Sequence, residues 1–150
     1  VSAGCQRQSE PPRPVPSGWR TWRQDGLSFR FPPQYTVTTE DFHMGELRVF
    51  ISDSQDSERL VLRLVFGNGL FLPPRHPAGP LPGKPVLVRI NGHPAERYGP
   101  GKGPGGAFSE GQMELAGKGR FANVHFSYAN LDPGRQKSAE TITASILADD

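Results

Sequence analysis

The amino-acid sequence predicts an α+β domain, an antiparallel β-sheet of about six to eight strands with a C-terminal amphipathic helix packed on it. Three observations carry this expectation. Short apolar runs with a period of two recur between clusters of glycine and proline. The pair Asn91-Gly92 lies between two such runs, a strong hairpin signal. The apolar period switches to that of a helix only after Asp132.

The elements follow in order. Trp19–Arg23 is short and aromatic, Gln24-Asp25-Gly26 reads as a turn, and Leu27–Phe31 alternates so that Leu27, Phe29 and Phe31 share a buried face. Pro32-Pro33 ends that strand because proline has no N–H for the ladder. Extended structure resumes at Tyr35–Thr38, and Glu46–Ser52 is the next strand. Glu58–Phe66 is the most apolar run, β-branched and aromatic, and predicts a central strand. Leu72–Pro85 holds six prolines in fourteen residues and reads as a long surface loop. Val86–Ile90 and Pro94–Tyr98 flank Asn91-Gly92, and Gly99–Gly106 reads as a second loop. Ala107–Leu115 and Arg120–Tyr128 are the last strands, with a bulge expected near Asn123 because Phe121 is out of phase with Val124, Phe126 and Tyr128. Asp132 is suited to an N-cap and Pro133 to the first helical position, and Ala139, Ile142 and Ile146 form one apolar stripe.

Composition bounds the rest. The 150 residues allow one domain, and 35% apolar content with 18 Gly and 16 Pro implies a modest core and long connections. No stretch approaches the ~18 apolar residues of a transmembrane helix. The net charge is +2, but five arginines against Glu10 and Asp25 make the segment from Arg7 to Arg30 locally basic. No lysine-arginine run is interleaved with aromatics, so nucleic acid is not an expected partner. A single cysteine excludes an intramolecular disulfide and a Cys-based zinc cage.

That cysteine lies in Val1-Ser2-Ala3-Gly4-Cys5, which resembles the end of a bacterial lipoprotein signal peptide. The resemblance implies lipidation at Cys5, attachment to the membrane through that lipid, and an extracytoplasmic location facing the periplasm or the cell surface. Two other readings stay open: cleavage after Val1-Ser2-Ala3 by an ordinary signal peptidase, releasing a soluble protein, and an incidental thiol in a frayed terminus. The proline-rich arm that follows favours extended conformers of about 3.1 Å per residue, a spacer of roughly 30 Å. The expected organisation is therefore a signal end and tether over 1–16 and a single globular domain over 17–150.

Trp22, a turn, Gly26-Leu27-Ser28-Phe29-Arg30-Phe31-Pro32 and then Tyr35 are similar to the "G-F-S-F-x-Y-P-x-x-W" opening of proteins with the PsbP-like fold. Ala139–Ile146 resembles the closing helix of that group. The resemblance implies a noncatalytic extracytoplasmic module, in several cases an assembly or stabilising factor for a membrane complex.

No catalytic signature emerges. His43, His76, His93 and His125 lack metal-ligand spacing, and Gly106–Gly111 does not fit a nucleophile elbow. Gly99–Gly106 lacks the order and following helix of a phosphate loop. Glu110 and Glu114, on one strand, would stand roughly 13 Å apart, too far for paired acid-base work. No catalytic residue, metal or cofactor is expected. A candidate interaction surface comprises Trp19, Trp22, Arg75, His76 and Tyr98, because exposed aromatics and arginines dominate interfaces; core packing is the competing role for both tryptophans. The expected function is a lipid-anchored, noncatalytic binding or assembly module of the bacterial envelope with an envelope protein as partner. A small extracytoplasmic enzyme, a ligand carrier with a dispersed site and a purely structural envelope protein are the alternatives.

Overall fold

The computed structural model describes residues 7–42, 45–56, 59–68, 75–76, 79–80, 85–115 and 120–148. The chain opens with β1 (Gln8–Ser9), β2 (Arg20–Gln24) and β3 (Leu27–Phe31), then β4 (Tyr35–Phe42), β5 (Glu46–Asp53) and β6 (Arg59–Gly67). The short pair β7 (Arg75–His76) and β8 (Gly79–Pro80) is followed by β9 (Val86–Ile90), β10 (His93–Gly103), β11 (Gly106–Glu114) and β12 (Asn123–Leu131). Helix α1 (Pro133–Ala144) and β13 (Leu147–Ala148) complete it. The architecture is α+β, with one C-terminal helix.

Three sheets stand where one was expected. The large sheet has eight strands in the order β1-β9-β10-β11-β12-β6-β5-β4; the second is β13-β3-β2, and the third is the β7-β8 pair. The large sheet is mixed, because β1 runs parallel to β9 while its other pairings are antiparallel. A parallel edge needs a long return connection, and here the chain from Ser9 to Val86, which includes β2 to β8, supplies it.

Local chemistry explains the turns. Gln24 pairs with Leu27 and Ile90 with His93, so Asp25-Gly26 and Asn91-Gly92 are two-residue hairpin turns. All four residues have positive φ, which suits Asn, Asp and Gly and matches the twist of the flanking strands. At the last helix, Asp132 is extended (φ −69°, ψ 164°) and its carboxylate accepts from the Arg135 N–H, with Pro133 beginning the helix.

The core lies between the inner face of the large sheet and a layer made of α1 and the small sheet. Strand β6 is central and buried on both faces, with Leu62, Leu64 and Phe66 fully enclosed. Leu27, Phe29 and Phe31 share a buried face as expected. Trp22 stacks on Phe29 at 4.7 Å and on Phe66 at 6.2 Å, joining the small sheet to the large one.

Several expectations are corrected. The register is regular from Asn123 to Ser127; the shifts of the large sheet fall between Tyr98 and Gly101, between Ala107 and Ser109 and between Ile51 and Ser52. Phe121 is buried by the connection into β12, where the Leu115 and Ala122 amides bond to Ala122 and Gly67 carbonyls. Gly99–Gly106 is not a loop: β10 and β11 continue through it to a short turn, and the shift after Tyr98 admits Pro100 into the strand. Within Leu72–Pro85, β7 pairs with β8. The helix buries the continuous run Ala139–Thr143, and not a stripe alone, while Ile146, fully buried, lies past its end.

A basic cleft beneath the N-terminal arm as candidate functional site

The arm is part of the domain. Arg7 Nη1 donates to the Ala95 carbonyl at 2.6 Å, Gln8 and Ser9 pair with Val88 and Arg89, and the Glu10 amide donates to the Arg89 carbonyl at 2.9 Å. Residues 7–10 therefore do not act as a free spacer: a parallel ladder and a side-chain anchor hold them on β9.

That anchor is a buried cluster around Arg97. The alternation of β10 aims Ala95 and Arg97 inward, and Arg97 is only 2% exposed. Its Nη1 donates to both Glu10 oxygens at 2.7 and 2.9 Å, and its Nη2 donates to Glu140 Oε1 at 2.5 Å. Nε and Nη2 also donate to Ser109 Oγ, which donates onward to the Tyr98 carbonyl. Tyr128 donates to the same Glu140 oxygen at 2.5 Å. The guanidinium carbon lies 5.4 Å from the centre of the Phe126 ring. Arm, hairpin strand, helix and β12 thus meet on one side chain.

The electrostatics follow from this geometry. Burial alone would lower Arg97, but the hydrogen bond and charge of Glu140, then those of Glu10, outweigh it and raise the group. Burial, reinforced by the Glu140 carboxylate, pushes the Tyr128 hydroxyl well up, so it stays a neutral donor.

Beyond Glu10 the prolines carry the arm across the small sheet to Trp19. Between the arm, the small sheet, the Asn91-Gly92 turn and the end of α1 opens a cleft of about 700 Å³. Its charged lining is Arg13, Arg23, Arg30 and Arg89 against the single carboxylate of Glu10, which Arg97 already holds. Arg30 Nη2 donates to the Trp19 carbonyl at 2.9 Å, and its amide donates to Ser145 Oγ, fixing its strand against the helix end. The Nε atoms of Arg13 and Arg30 are buried and have no hydrogen-bond partner among the described residues. Arg13 also lines two smaller clefts along the arm, of about 470 and 290 Å³. This arrangement can attract and fork-bind an anion; it presents no nucleophile with an adjacent base.

A second polar pair lies elsewhere. His125 Nε2 is 2.9 Å from Glu110 Oε1 on the outer face of the large sheet, and neither residue lines the basic cleft. Among the described residues no group of three His, Cys, Asp or Glu is placed to hold a metal, and no helix is long and apolar enough to cross a membrane.

Of the expected interaction surface, the described side chains of Trp19, Trp22 and Tyr98 lie in different surroundings. Trp19 and Trp22 are partly buried and pack on the core, so packing prevails for both, although Trp19 also lines the 470 Å³ cleft. Tyr98 alternates with inward-facing Arg97 and so points to the opposite sheet face. Arg75 and His76 form β7, and their side chains, like Cys5 itself, lie outside the described residues. Sequence reasoning missed Arg97, Glu140 and the arginine cleft. Signals existed: Arg97 sits in the inward phase of its strand, Glu140 adjoins the apolar Ala139, and Glu10 is the arm's one acid.

No protein-family model and no curated protein matches the chain. A solved structure from Bacteroides thetaiotaomicron, a crystal structure at 1.50 Å resolution, is similar over 83% of this chain, with 14% identity and a TM-score of 0.44. This chain spans 46% of that one.

Proposed function

We propose that the chain is a noncatalytic binding module of the bacterial envelope, attached to the membrane through a lipid on Cys5. The observation that carries the binding part is the cleft of about 700 Å³, lined by four arginines and one carboxylate that is already paired. The run Ala3-Gly4-Cys5 supports the attachment. The similarity to the PsbP-like group belongs to the same reading: the turn at Asp25-Gly26 joins β2 to β3, and α1 packs against β3. Because Arg7 already sits on the domain, a lipid on Cys5 would hold the domain close to the bilayer instead of tens of ångströms away.

The test of attachment is acyl labelling and globomycin sensitivity of the expressed gene, with Cys5→Ser alongside. Labelled, globomycin-sensitive parent and unlabelled, released Cys5→Ser are expected; identical processing of the two overturns the lipid anchor. An envelope protein partner is tested by crosslinking in cells followed by affinity capture. A reproducible neighbour supports an assembly role, and its absence leaves the cleft as the binding element.

A further inference from the structure

We propose that the arginine cleft binds a phosphate-bearing amphiphile, its phosphate held by the guanidinium groups and its apolar part resting on the arm. This deepens the binding role just proposed and does not require lipidation of Cys5.

The charge count comes first. Arg13, Arg23, Arg30 and Arg89 line one cleft, and none of them forms an ion pair among the described residues. Of the arginines outside the cleft, Arg48, Arg59, Arg97, Arg120 and Arg135 form ion pairs, Arg97 with two carboxylates and Arg135 with three, whereas Arg7, Arg20 and Arg63 form none among the described residues; the cleft differs in gathering four such arginines in one place. Glu10 brings no neutralising charge to the cleft, because both its oxygens accept from Arg97. Like charges gathered without counter-charge repel one another, and a bound anion removes that repulsion.

Arg30 is held at one end by the Trp19 carbonyl, and its buried Nε has no hydrogen-bond partner among the described residues. Arg13 too has a buried Nε without a partner, and no side-chain hydrogen bond holds its guanidinium elsewhere among the described residues. An Nε–H beside an Nη–H is the fork that two oxygens of a phosphate or a carboxylate accept bidentately. The C-terminal end of α1 borders the cleft, and its carbonyls favour cations, so the arginines supply the whole attraction for an anion.

Four guanidiniums suit phosphate better than a single carboxylate, because phosphate offers more acceptor oxygens and, as a monoester, up to two charges. The remaining lining chooses an amphiphile. The arm's prolines and Val15 form an apolar wall, and Leu147 at the cleft edge is 51% exposed. Phosphate of this kind occurs in an anionic phospholipid headgroup and in soluble phosphates, and the two are separable.

The experiment uses the full chain carrying Cys5→Ser, so that no acyl group contributes and failure here leaves the anchor unaffected. Binding is measured to phosphatidylglycerol vesicles, to phosphatidylcholine vesicles and to inorganic phosphate. Arg13→Gln/Arg30→Gln is compared with Arg23→Gln/Arg89→Gln, whose two side chains are exposed and unpaired and so are not needed for folding. Arg20→Gln, an exposed arginine outside the cleft, is the control. A phosphatidylglycerol preference that falls about tenfold in each double variant and stays unchanged in the control assigns the cleft to a lipid phosphate. Inorganic phosphate binding lost in the same variants without vesicle preference overturns the amphiphile and leaves a soluble phosphate as the occupant. Absence of both, or an equal loss in Arg20→Gln, overturns the site.

Discussion

Arg97 and Glu140 stand 2.5 Å apart with 2% and 4% of their side chains exposed, and they join the hairpin strand β10 to the terminal helix. Two charges removed from water this completely are held only because each is also bonded elsewhere, Arg97 to Glu10 and Ser109 and Glu140 to Tyr128. Removing one partner strands the others. Arg97→Met is expected to cost about 3–5 kcal/mol of unfolding free energy, measured in urea, while Arg97→Met/Glu140→Leu recovers a large part of it. A single variant within about 1 kcal/mol of the parent would show that the pair does not hold the layers together.

Glu10 lends the same cluster to the arm. Its carboxylate is mostly buried against Arg97, so Glu10→Ala is expected to cost about 1.5–3 kcal/mol. The loss is local: amide hydrogen exchange should speed up over Gln8–Glu10, whose Glu10 N–H bonds to Arg89, while the β5-β6 ladder keeps its protection. Uniform acceleration across both regions would instead mean that the arm unfolds only with the whole domain.

Gly111 makes room for the cluster. A Cβ there would stand 2.5 Å from the Glu96 carbonyl oxygen, 2.6 Å from the Phe126 ring and 2.9 Å from the Arg97 Cβ. Backbone cannot swing aside as a side chain can, so the strand must shift. Gly111→Ala is expected to cost about 1–3 kcal/mol, seen as a lower Tm, and to displace the Phe126 ring signals in NMR. Gly103→Ala in the neighbouring strand, where an added Cβ meets ordinary contacts beyond 3.4 Å, is the mild comparison.

Acid should release the helix start. Arg135 bonds Asp53, Asp56 and Asp132, tying the N-terminus of α1 to the β5-β6 turn. Burial alone would raise Asp132, but hydrogen bonds from the Arg135 side chain and amide hold its carboxyl below the ordinary value. A depressed acid stabilises above its unfolded pKa of about 3.9 and loses that contribution as pH falls through the lower folded value. Asp132→Ala is therefore expected to cost about 0.5–2 kcal/mol at neutral pH, and the gap to the parent should close below about pH 4. A gap that persists undiminished in acid would rule out the carboxylate as its source.

Much of the fold was legible because it rests on local chemistry. The two hairpin turns follow from residues that tolerate positive φ, the helix start from an Asp cap before Pro133, and the central strand from an unbroken apolar run. Strand length near Gly99–Gly106 was not legible, because glycine and proline signal a loop unless a partner strand absorbs the register shift. The site was less legible still. Core packing, one of the two roles open to Trp22 in the sequence, is the one it takes on Phe29 and Phe66, whereas the arginines that line the cleft are scattered from Arg13 to Arg89.

The sequence by itself determined the α+β class, the two hairpin turns at Asp25-Gly26 and Asn91-Gly92 and the C-terminal helix, since these rest on residue patterns a few positions long. Only the tertiary structure decided what the arm does. The stretch that reads as a free proline spacer is a docked strap, because its one acid meets an arginine 87 residues away. That pairing is long-range electrostatics in a buried site, which no local pattern encodes, and it leaves four other arginines around a cleft with no counter-charge of their own.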